Sequence, residues 1–294
     1  MRDREWSLTY PGTSLTWGPH DLPVSNATWP DLGDPGLRLD DVDRPRGDGV
    51  LFGADYRGGR TIAFELVMRA DTEAAVRDVA ADVEAAWRGD VVRQTPGAVA
   101  ELRARYAGRE RVIYGRPRRC AVDYRFASQG VVSAVADFAT TGDCWFGSTV
   151  QSVTAALAAG SGGGLLAPLS APLTSTSTSD RSVAAIVAGR LPAWPVITIQ
   201  GPVTTPVVEL VGLWRIELRT TLAYDQSAVI DTRPWVLSVL RSGGGSLAGA
   251  VSPHSSRLTD MSIPPGTWEV AFRGVDETGT STASITWQET HPGL

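Results

Sequence analysis

Residues 52–69, FGADYRGGRTIAFELVMR, combine a glycine turn with a regular strand pattern and indicate the fold class. From Thr61 to Met68, apolar side chains alternate with others, which is the period of a half-buried strand. The pair Gly58-Gly59 precedes this strand, and glycine permits both positive φ and the close approach of another chain segment. The stretch therefore predicts an exposed hairpin that leads into a strand.

Residues 71–87, DTEAAVRDVAADVEAAW, predict an amphipathic helix soon after that strand. Asp71 or Thr72 is a suitable N-cap, because a short oxygen-bearing side chain can accept a hydrogen bond from a free N–H of the first turn. The apolar side chains recur at helical spacing and form one stripe, at Val76, Val79, Val83 and Trp87. We expect this stripe to pack on a sheet.

Most of the remaining chain has strand-like patterns. Residues 101–119 predict two strands turned at Ala107-Gly108, and CAVDYRFA (120–127) and VVSAVADFAT (131–140) predict two more. The second half contains short apolar segments between Gly and Pro turns, at 195–201, 206–212, 214–224, 228–241, 266–274 and 281–289. Many short strands at such spacing are typical of a β-sandwich or jelly roll. The predicted fold class is mainly β, with one packed α-helix in the N-terminal half.

The composition divides the chain in two. With 294 residues and 43% hydrophobic content, the chain can bury one large core or two ordinary ones. Residues 1–145 hold 19 arginines and 22 acidic residues, whereas residues 146–294 hold 8 and 10. A passage rich in Ser, Thr, Ala and Gly, at 148–180, predicts a linker mixed with weak edge strands. We therefore expect domains at 1–147 and 148–294.

Charge and residue usage exclude several classes of function. The net charge of -5 argues against nonspecific nucleic-acid binding. Every basic residue is arginine, which fits a GC-rich coding source and excludes a P-loop lysine, a Schiff-base lysine and a Ser-x-x-Lys nucleophile. No apolar run has the length of a membrane span, and the N-terminus lacks the apolar segment of a signal peptide, so we expect neither insertion nor export. Cys120 and Cys144 are too few for a disulfide framework, which favours a reducing compartment and leaves a single bridge between them open.

Catalytic and metal-binding signatures are weak. The histidines lie in Pro- and Ser-flanked segments without the spacing of metal ligands, at His20, His254 and His291. The acidic run at 39–49, LDDVDRPRGDG, does not follow a calcium-loop pattern, and its Arg-Gly-Asp triplet is short enough to occur by chance. The GSGGG run at 160–164 lacks the lysine of a phosphate-binding loop. We interpret these segments as solvated loops and expect no metal, no cofactor and no catalytic residue.

Two other classes of function stay open. A glycoside hydrolase needs two carboxylates across a glycosidic bond, and the acidic strand residues of the second half offer candidates without selecting a pair: Glu209, Glu217, Asp231 and Glu269. The 10 tryptophans allow sugar binding by stacking. Most of them lie in strand patterns that favour a core position, among them Trp214, Trp235, Trp268 and Trp287.

The order of several motifs resembles the distal tail proteins, or minor tail proteins, of long-tailed siphophages that infect actinobacteria. The motifs are LGDPGLR, DGVLFGADYRGGRTIAFELVM, VIYGRPRR, FATTGDCWFG, WPVITIQGP, VIDT and IPPGTWEVAF. They span nearly the whole chain, and their specificity lies in their order and spacing.

The resemblance implies a fold, an assembly and a set of partners. It implies an N-terminal β-rich ring-forming domain with one packed helix, followed by a C-terminal galectin-like β-sandwich. It also implies a homohexameric ring in the virion, between the tail tube and the tail tip or baseplate, with a role in host attachment. The implied partners are further copies of the chain, the tail tube protein, the tail-tip (tail-associated) protein, the tape measure protein and other minor tail or receptor-binding proteins. The second half lacks a His/Asn/Arg cluster beside a tryptophan, which argues against galectin-type sugar binding there.

Two groups of arginines in the first half form the candidate subunit interface. Arg57 and Arg60 flank Gly58-Gly59, and guanidinium groups suit carboxylates of a neighbouring copy. An ordinary surface hairpin is the alternative for these two arginines. A second basic patch surrounds Pro117 and faces either a neighbouring subunit or the lumen of the tube; it consists of Arg116, Arg118 and Arg119.

Overall fold

The computed structural model describes residues 1–19, 21–157 and 182–294. The chain forms two compact units, one comprising Met1–Ser148 with His291–Leu294 and the other Thr149–Thr290. His20, the glycine run at 160–164 and most of the passage interpreted as a linker lie outside the described residues.

An antiparallel sheet and one long helix form the first unit. Its helices are α1 (Glu73–Arg88) and α2 (Asp90–Gln94), and neither helix of the described ranges is long and apolar enough to cross a membrane. Its strands are β1 (Trp6–Tyr10), β2 (Thr13–Trp17), β3 (Val24–Asn26), β4 (Leu37–Leu39), β5 (Val42–Asp43), β6 (Val50–Leu51), β7 (Asp55–Arg57), β8 (Thr61–Arg69), β9 (Ala100–Tyr106), β10 (Arg109–Asp123), β11 (Val131–Thr140) and the start of β12 (Trp145–Ala156). The sheet has the order β3-β8-β11-β10-β12, and β9, β1 and β2 continue from β10 in that order. The strand predicted from Thr61 is therefore an interior strand, β8.

Helix α1 packs its apolar stripe into the core of this unit. Thr72 is the N-cap, and its hydroxyl accepts a hydrogen bond from the Ala75 N–H at 3.2 Å. Val83 and Trp87 are fully buried, whereas Val79 is only partly buried. The Trp87 ring contacts other aromatic rings of the core edge-on, namely Trp17 and Phe64. The predicted amphipathic helix is thus confirmed.

The strands after the helix are longer than predicted. The turn at Ala107-Gly108 is confirmed, with φ of 48° and 73°, which suits a two-residue hairpin. However, residues 120–123 continue β10 beyond a bulge between Pro117 and Cys120, and residues 124–127 leave the sheet, so CAVDYRFA is not a separate strand. Residues 148–156, predicted as part of a linker mixed with weak edge strands, belong to β12, a continuous strand with β10 on one side and β21 on the other.

The second unit is a sandwich of two antiparallel sheets. Its strands are the end of β12 and β13 (Ser182–Val187), β14 (Val196–Gln200), β15 (Val203–Leu210), β16 (Trp214–Glu217), β17 (Thr221–Leu222), β18 (Ser227–Asp231), β19 (Ser238–Arg241), β20 (Gly266–Val275) and β21 (Thr282–His291). One sheet has the order β19-β18-β14-β21-β12, and the other β13-β20-β15-β16 with β17 beside β15. Apolar side chains of both sheets form one core, for example Ile197 and Ile230 from the first and Val208 and Phe272 from the second. The predicted mainly β fold with a sandwich in the second half is confirmed.

Candidate functional site

Residues 37–57, which we call the arm, form two short antiparallel ladders outside the main sheets. Strand β4 pairs with β7, and β5 pairs with β6. Between the ladders the Gly53 N–H donates to Asp41 Oδ1 at 3.0 Å, and near the tip the Arg44 N–H donates to the Gly49 carbonyl at 3.1 Å. The acidic run at 39–49, interpreted from sequence as a solvated loop, is therefore one side and the tip of a hairpin-like element.

The apolar side chains of the arm are exposed. Every residue from 36 to 59 is exposed, and Phe52 is 87% exposed. Other large apolar side chains of the arm lie open as well, including Leu37, Leu39, Val42, Leu51 and Tyr56. A pair of short strands is barely stable alone in water, and contiguous exposed apolar surface marks interaction sites in soluble proteins. The arm is therefore a candidate surface for contact with another protein chain.

The base of the arm differs from the predicted hairpin turn. The Gly58 N–H donates to the Gly36 carbonyl at 2.7 Å, so that the two ends of the arm meet there. Gly58 and Gly59 then lead from β7 in the arm to β8 in the sheet, and neither is in the left-handed region. The expected turn with positive φ is wrong, but the expected close approach is present. A Cβ on Gly59 would lie 2.2 Å from the Thr140 carbonyl oxygen.

The two arginines that flank these glycines have different surroundings. The backbone N–H of Arg60 donates to Thr140 Oγ1 at 2.8 Å, and its guanidinium donates to the Asp143 carbonyl at 2.7 Å. The side chain of Arg57 is 71% exposed and reaches one carboxylate oxygen of Asp143 at 3.6 Å. Arg60 thus fastens the base of the arm to the sheet, whereas Arg57 presents its charge to solvent.

The second basic group divides in the same way. Arg116 donates to the carbonyls of Ala98 and Thr95, each at 2.8 Å, and so ties β10 to the segment after α2. Arg118 and Arg119 are exposed at the bulge of β10. The guanidinium of Arg93 donates to the backbone carbonyls of Pro117 and Arg118 and holds the bulge in place. Only Arg118 and Arg119 of this group therefore present their side chains outward.

Both cysteines are free and poorly nucleophilic. Burial raises the pKa of Cys120 to about 11 and that of Cys144 to about 12, and Cys144 also donates to Asp143 Oδ1 at 3.1 Å. The thiolate is the reactive form, so neither side chain is an activated nucleophile at neutral pH. Within the described ranges no cluster of three or more His, Cys, Asp or Glu side chains is arranged to hold a metal ion.

Three of the four hydrolase candidates of the second half are engaged in ion pairs with arginines, and the fourth, Glu269, is exposed. Glu209 lies 2.7 Å from Arg273, and Glu217 lies 2.9 Å from Arg215. Asp231 is buried and lies 2.5 Å from Arg233. These ion pairs link residues of neighbouring strands, of one strand, or of a strand end and the segment after it. Of the tryptophans assigned to a core, Trp214 and Trp287 are buried, and Trp268 and Trp235 are partly buried.

Comparisons with known proteins identify the fold. Neither a family profile nor a curated protein sequence matches the chain. The crystal structure of the phage SPP1 Dit protein, described as a paradigm of the hub adsorption apparatus in phages that infect Gram-positive bacteria, matches 97% of this chain and 98% of its own with a TM-score of 0.54 at 12% identity. A chain of the phage P2 baseplate in its activated conformation with calcium matches 99% of each chain with a TM-score of 0.58 at 13% identity. The same baseplate with strontium matches 96% and 97% with a TM-score of 0.52 at 13% identity. The chain is thus similar in fold to phage hub and baseplate proteins over its whole length.

Proposed function

We propose that this chain is a structural distal tail protein of a siphophage, in which six copies form a ring that joins the tail tube to the tail tip or baseplate for host attachment. The fold similarity to hub and baseplate proteins supports the tail role. The resemblance of the sequence motifs supports an actinobacterial host and a place in the virion. The observation that carries the proposal is the arm, whose apolar side chains have no cover in the single chain.

The arm supplies the kind of contact that a ring requires. In a cyclic assembly each subunit uses two different surfaces, one toward each neighbour. We propose that the arm of one copy packs on the first unit of the next and buries Phe52 there. The exposed cations of the candidate interface, Arg57 in the arm and Arg118 and Arg119 at the bulge of β10, then lie at the rim, where charge pairs guide orientation and contribute little affinity.

The remaining parts of the proposal follow from the position of such a ring. Its partners are the tail tube protein on one side, and the tail-tip and tape measure proteins and other minor tail or receptor-binding proteins on the other. We propose a structural and not an enzymatic role, which is supported by the pairing of three of the four candidate carboxylates, Glu209, Glu217 and Asp231, with arginines.

The arm can be removed with little damage to the rest of the unit. Its ends meet at the hydrogen bond between Gly58 and Gly36, so residues 37–57 can be replaced by two glycines. A milder variant is Phe52→Asp, and its matched control is Tyr224→Asp, which alters a 74% exposed aromatic side chain of the second unit. We expect the full chain to have the mass of a hexamer by light scattering. The arm deletion and Phe52→Asp are expected to be folded monomers, and Tyr224→Asp a hexamer.

Circular dichroism and melting temperature report folding separately from assembly. A hexamer that forms equally well without the arm refutes the arm as the contact surface. A monomeric full chain across a wide concentration range refutes the ring itself.

A further inference from the structure

A hollow of about 330 Å³ lies on the first unit, and none of its lining residues belongs to the arm. One wall is the indole of Trp29, which is 60% exposed and lies against the ring of Tyr106 with 4.4 Å between centroids. Pro19 and Pro30 add apolar surface. Sequence reasoning missed Trp29, because its neighbours show neither strand nor helix periodicity. An exposed indole is unusual here, since Trp6, Trp17, Trp87 and Trp145 are all fully buried in the same unit.

Polar groups of both kinds surround this aromatic wall. The side chains of Asp3, Arg4, Asn26 and Thr28 line the hollow. Asn26 uses its amide oxygen to accept from Trp17 Nε1 at 3.1 Å, which orients its NH₂ group as a remaining donor. The Thr28 hydroxyl donates to Glu65 at 3.0 Å and keeps its lone pairs. The hollow therefore offers a carboxylate acceptor, a guanidinium and an amide donor around one aromatic face.

Tyr106 is fixed as part of the wall. Its hydroxyl accepts a hydrogen bond from Trp6 Nε1 at 2.9 Å. Burial raises the pKa of Tyr106, so its hydroxyl stays protonated at neutral pH and retains a proton to donate. The buried Trp6 thus fixes the position of Tyr106 in the aromatic pair, as expected for a preformed binding surface.

The backbone at the rim is in an unfavourable conformation. Arg4 has φ of 63°, although it is not a glycine, and its N–H is held by the Arg105 carbonyl at 2.7 Å. Its own carbonyl lies over Gly18, where a Cβ would approach that oxygen to 2.4 Å. A non-glycine residue in the left-handed region costs about 1–2 kcal/mol, and such positions concentrate at binding sites. Glycine would adopt this φ without strain, but the arginine places a guanidinium at the rim of the hollow.

We propose that this hollow binds a neutral pyranose sugar, with the apolar face of the ring stacked on Trp29 and its hydroxyl groups hydrogen-bonded to Asp3, Arg4 and Asn26. The face of an indole is electron-rich and attracts the polarised C–H bonds on one face of a pyranose. Each sugar hydroxyl both donates and accepts, so a carboxylate next to amide and guanidinium donors matches adjacent hydroxyls. The volume is within the range of small-molecule sites.

The same features argue against a proline-rich peptide. Such peptides dock in grooves lined by several aromatic rings, which separate the successive turns of the polyproline helix. This hollow has one aromatic wall and a charged rim of both signs.

A second hollow makes room for a longer saccharide. It has a volume of about 340 Å³ and shares Ala27 with the first, and its Glu65 accepts the hydrogen bond from Thr28 of the first hollow. Its further lining includes Asp123, Arg125 and Ser133, which again supply both acceptors and donors. An oligosaccharide with one ring on Trp29 has polar surface for its next ring.

Saturation-transfer difference NMR on the full chain tests the proposal, because it detects weak ligands of large proteins. The probes are the methyl β-glycosides of glucose, galactose and N-acetylglucosamine, together with one disaccharide of each, and a polyproline peptide. We expect at least one monosaccharide to bind with Kd in the range of about 1–10 mM, and its disaccharide more tightly by about tenfold.

Three variants distinguish the named site from adventitious binding. Trp29→Ala is expected to weaken binding at least tenfold, and the matched control Tyr224→Ala to leave it unchanged. Arg4→Gly is expected to keep or raise the melting temperature, because glycine accepts this φ, and yet to weaken binding. The light-scattering mass should stay that of the unmodified chain in all three, which separates this proposal from the ring.

Several results overturn the sugar site. These are the absence of transfer to any of the sugars, unchanged binding by a folded Trp29→Ala variant, and binding of the polyproline peptide in place of sugar.

Discussion

Gly59 stands where a side chain has no space. An added Cβ would lie 2.2 Å from the Thr140 carbonyl oxygen, which is a backbone atom of the strand beside it. We expect Gly59→Ala to push the base of the arm away from β11 and to lower the free energy of unfolding of the first unit by about 1–3 kcal/mol. Urea denaturation measures this loss. The control is Gly47→Ala at the tip of the arm, where no atom lies within 4 Å, and equal stability of the two variants would contradict the argument.

Asp276 gives the second unit a defined pH dependence. It lies in the turn between β20 and β21, where its carboxylate accepts from the Ser281 N–H at 2.8 Å and from Thr278 through both N–H and hydroxyl. Burial favours the neutral acid, but these hydrogen bonds together hold the pKa of Asp276 well below its usual value. The ionised form is thus stabilised on folding. This stability is fully present above the unfolded pKa of about 3.9 and is lost as pH falls toward the lower folded pKa.

The comparison with Asp276→Asn isolates this contribution. We expect the stability difference between the unmodified chain and the variant to be constant from pH 7 to about pH 5 and to shrink below about pH 4. Thermal unfolding followed across that pH range measures it. A difference that grows in acid would have the wrong sign for this assignment.

The sequence does not predict which arginines of the candidate interface are exposed and which bind backbone carbonyls. Arg57 and Arg60 are three positions apart beside the same glycines, and Arg116 and Arg118 are two apart beside the same proline. In each pair the guanidinium of one arginine donates to at least one backbone carbonyl oxygen of a distant segment, and the side chain of the other is exposed. Those carbonyls belong to residues distant in sequence, so the residue types and spacing around each arginine do not predict them.

At the scale of the element, helix α1 depends on its buried stripe more than on its propensity. Val83 is fully buried in the core, whereas Val91 on α2 is 54% exposed. We expect Val83→Asp to bury an unpaired charge and to destabilise the first unit by several kcal/mol, enough to unfold it near room temperature. Val91→Asp makes the same chemical change on the surface and should cost less than about 0.5 kcal/mol. Far-UV circular dichroism during melting distinguishes the two, and similar melting temperatures would show that the stripe is not a core surface.

The hydrophobic periodicity of the sequence predicts most of the helices and strands, but it does not predict which surfaces cover them. Strands β8, β11, β14 and β21, all predicted as strands, alternate along most of their length and are buried on one face. The arm also contains short apolar segments, yet its apolar side chains have no cover. The alternation of apolar residues in a strand shows which side chains share a face. It does not show which other surface covers that face. For this reason the sequence predicts a solvated loop at 39–49 and a linker mixed with weak edge strands at 148–156.

At the scale of the whole molecule, the candidate contact surface lies in one of the two units. The arm and the three exposed arginines of the candidate interface, Arg57, Arg118 and Arg119, belong to the first unit, which also contains most of the charged residues. We expect residues 1–148 alone to form the same oligomer as the full chain, with a lower melting temperature because Leu294 no longer packs on the core of that unit. Light scattering gives the mass, and circular dichroism shows that the fragment is folded. A folded monomer under conditions in which the full chain assembles would place the contacts in the second unit.

The contact between Gly36 and Gly58 at the base of the arm allows the sequence of the arm to vary independently of the sheet. Because one backbone hydrogen bond brings its two ends together, the residues between them can lengthen, shorten or diverge while the sheet below keeps its register. In the proposed ring, the sequence of the arm is constrained by the surface of the neighbouring copy that it contacts, whereas the sequence of the sheet is constrained by its own core. Related chains should therefore differ most between these two glycines, in step with changes on the neighbouring copy, and an arm transplanted from one relative to another should work only together with its landing surface.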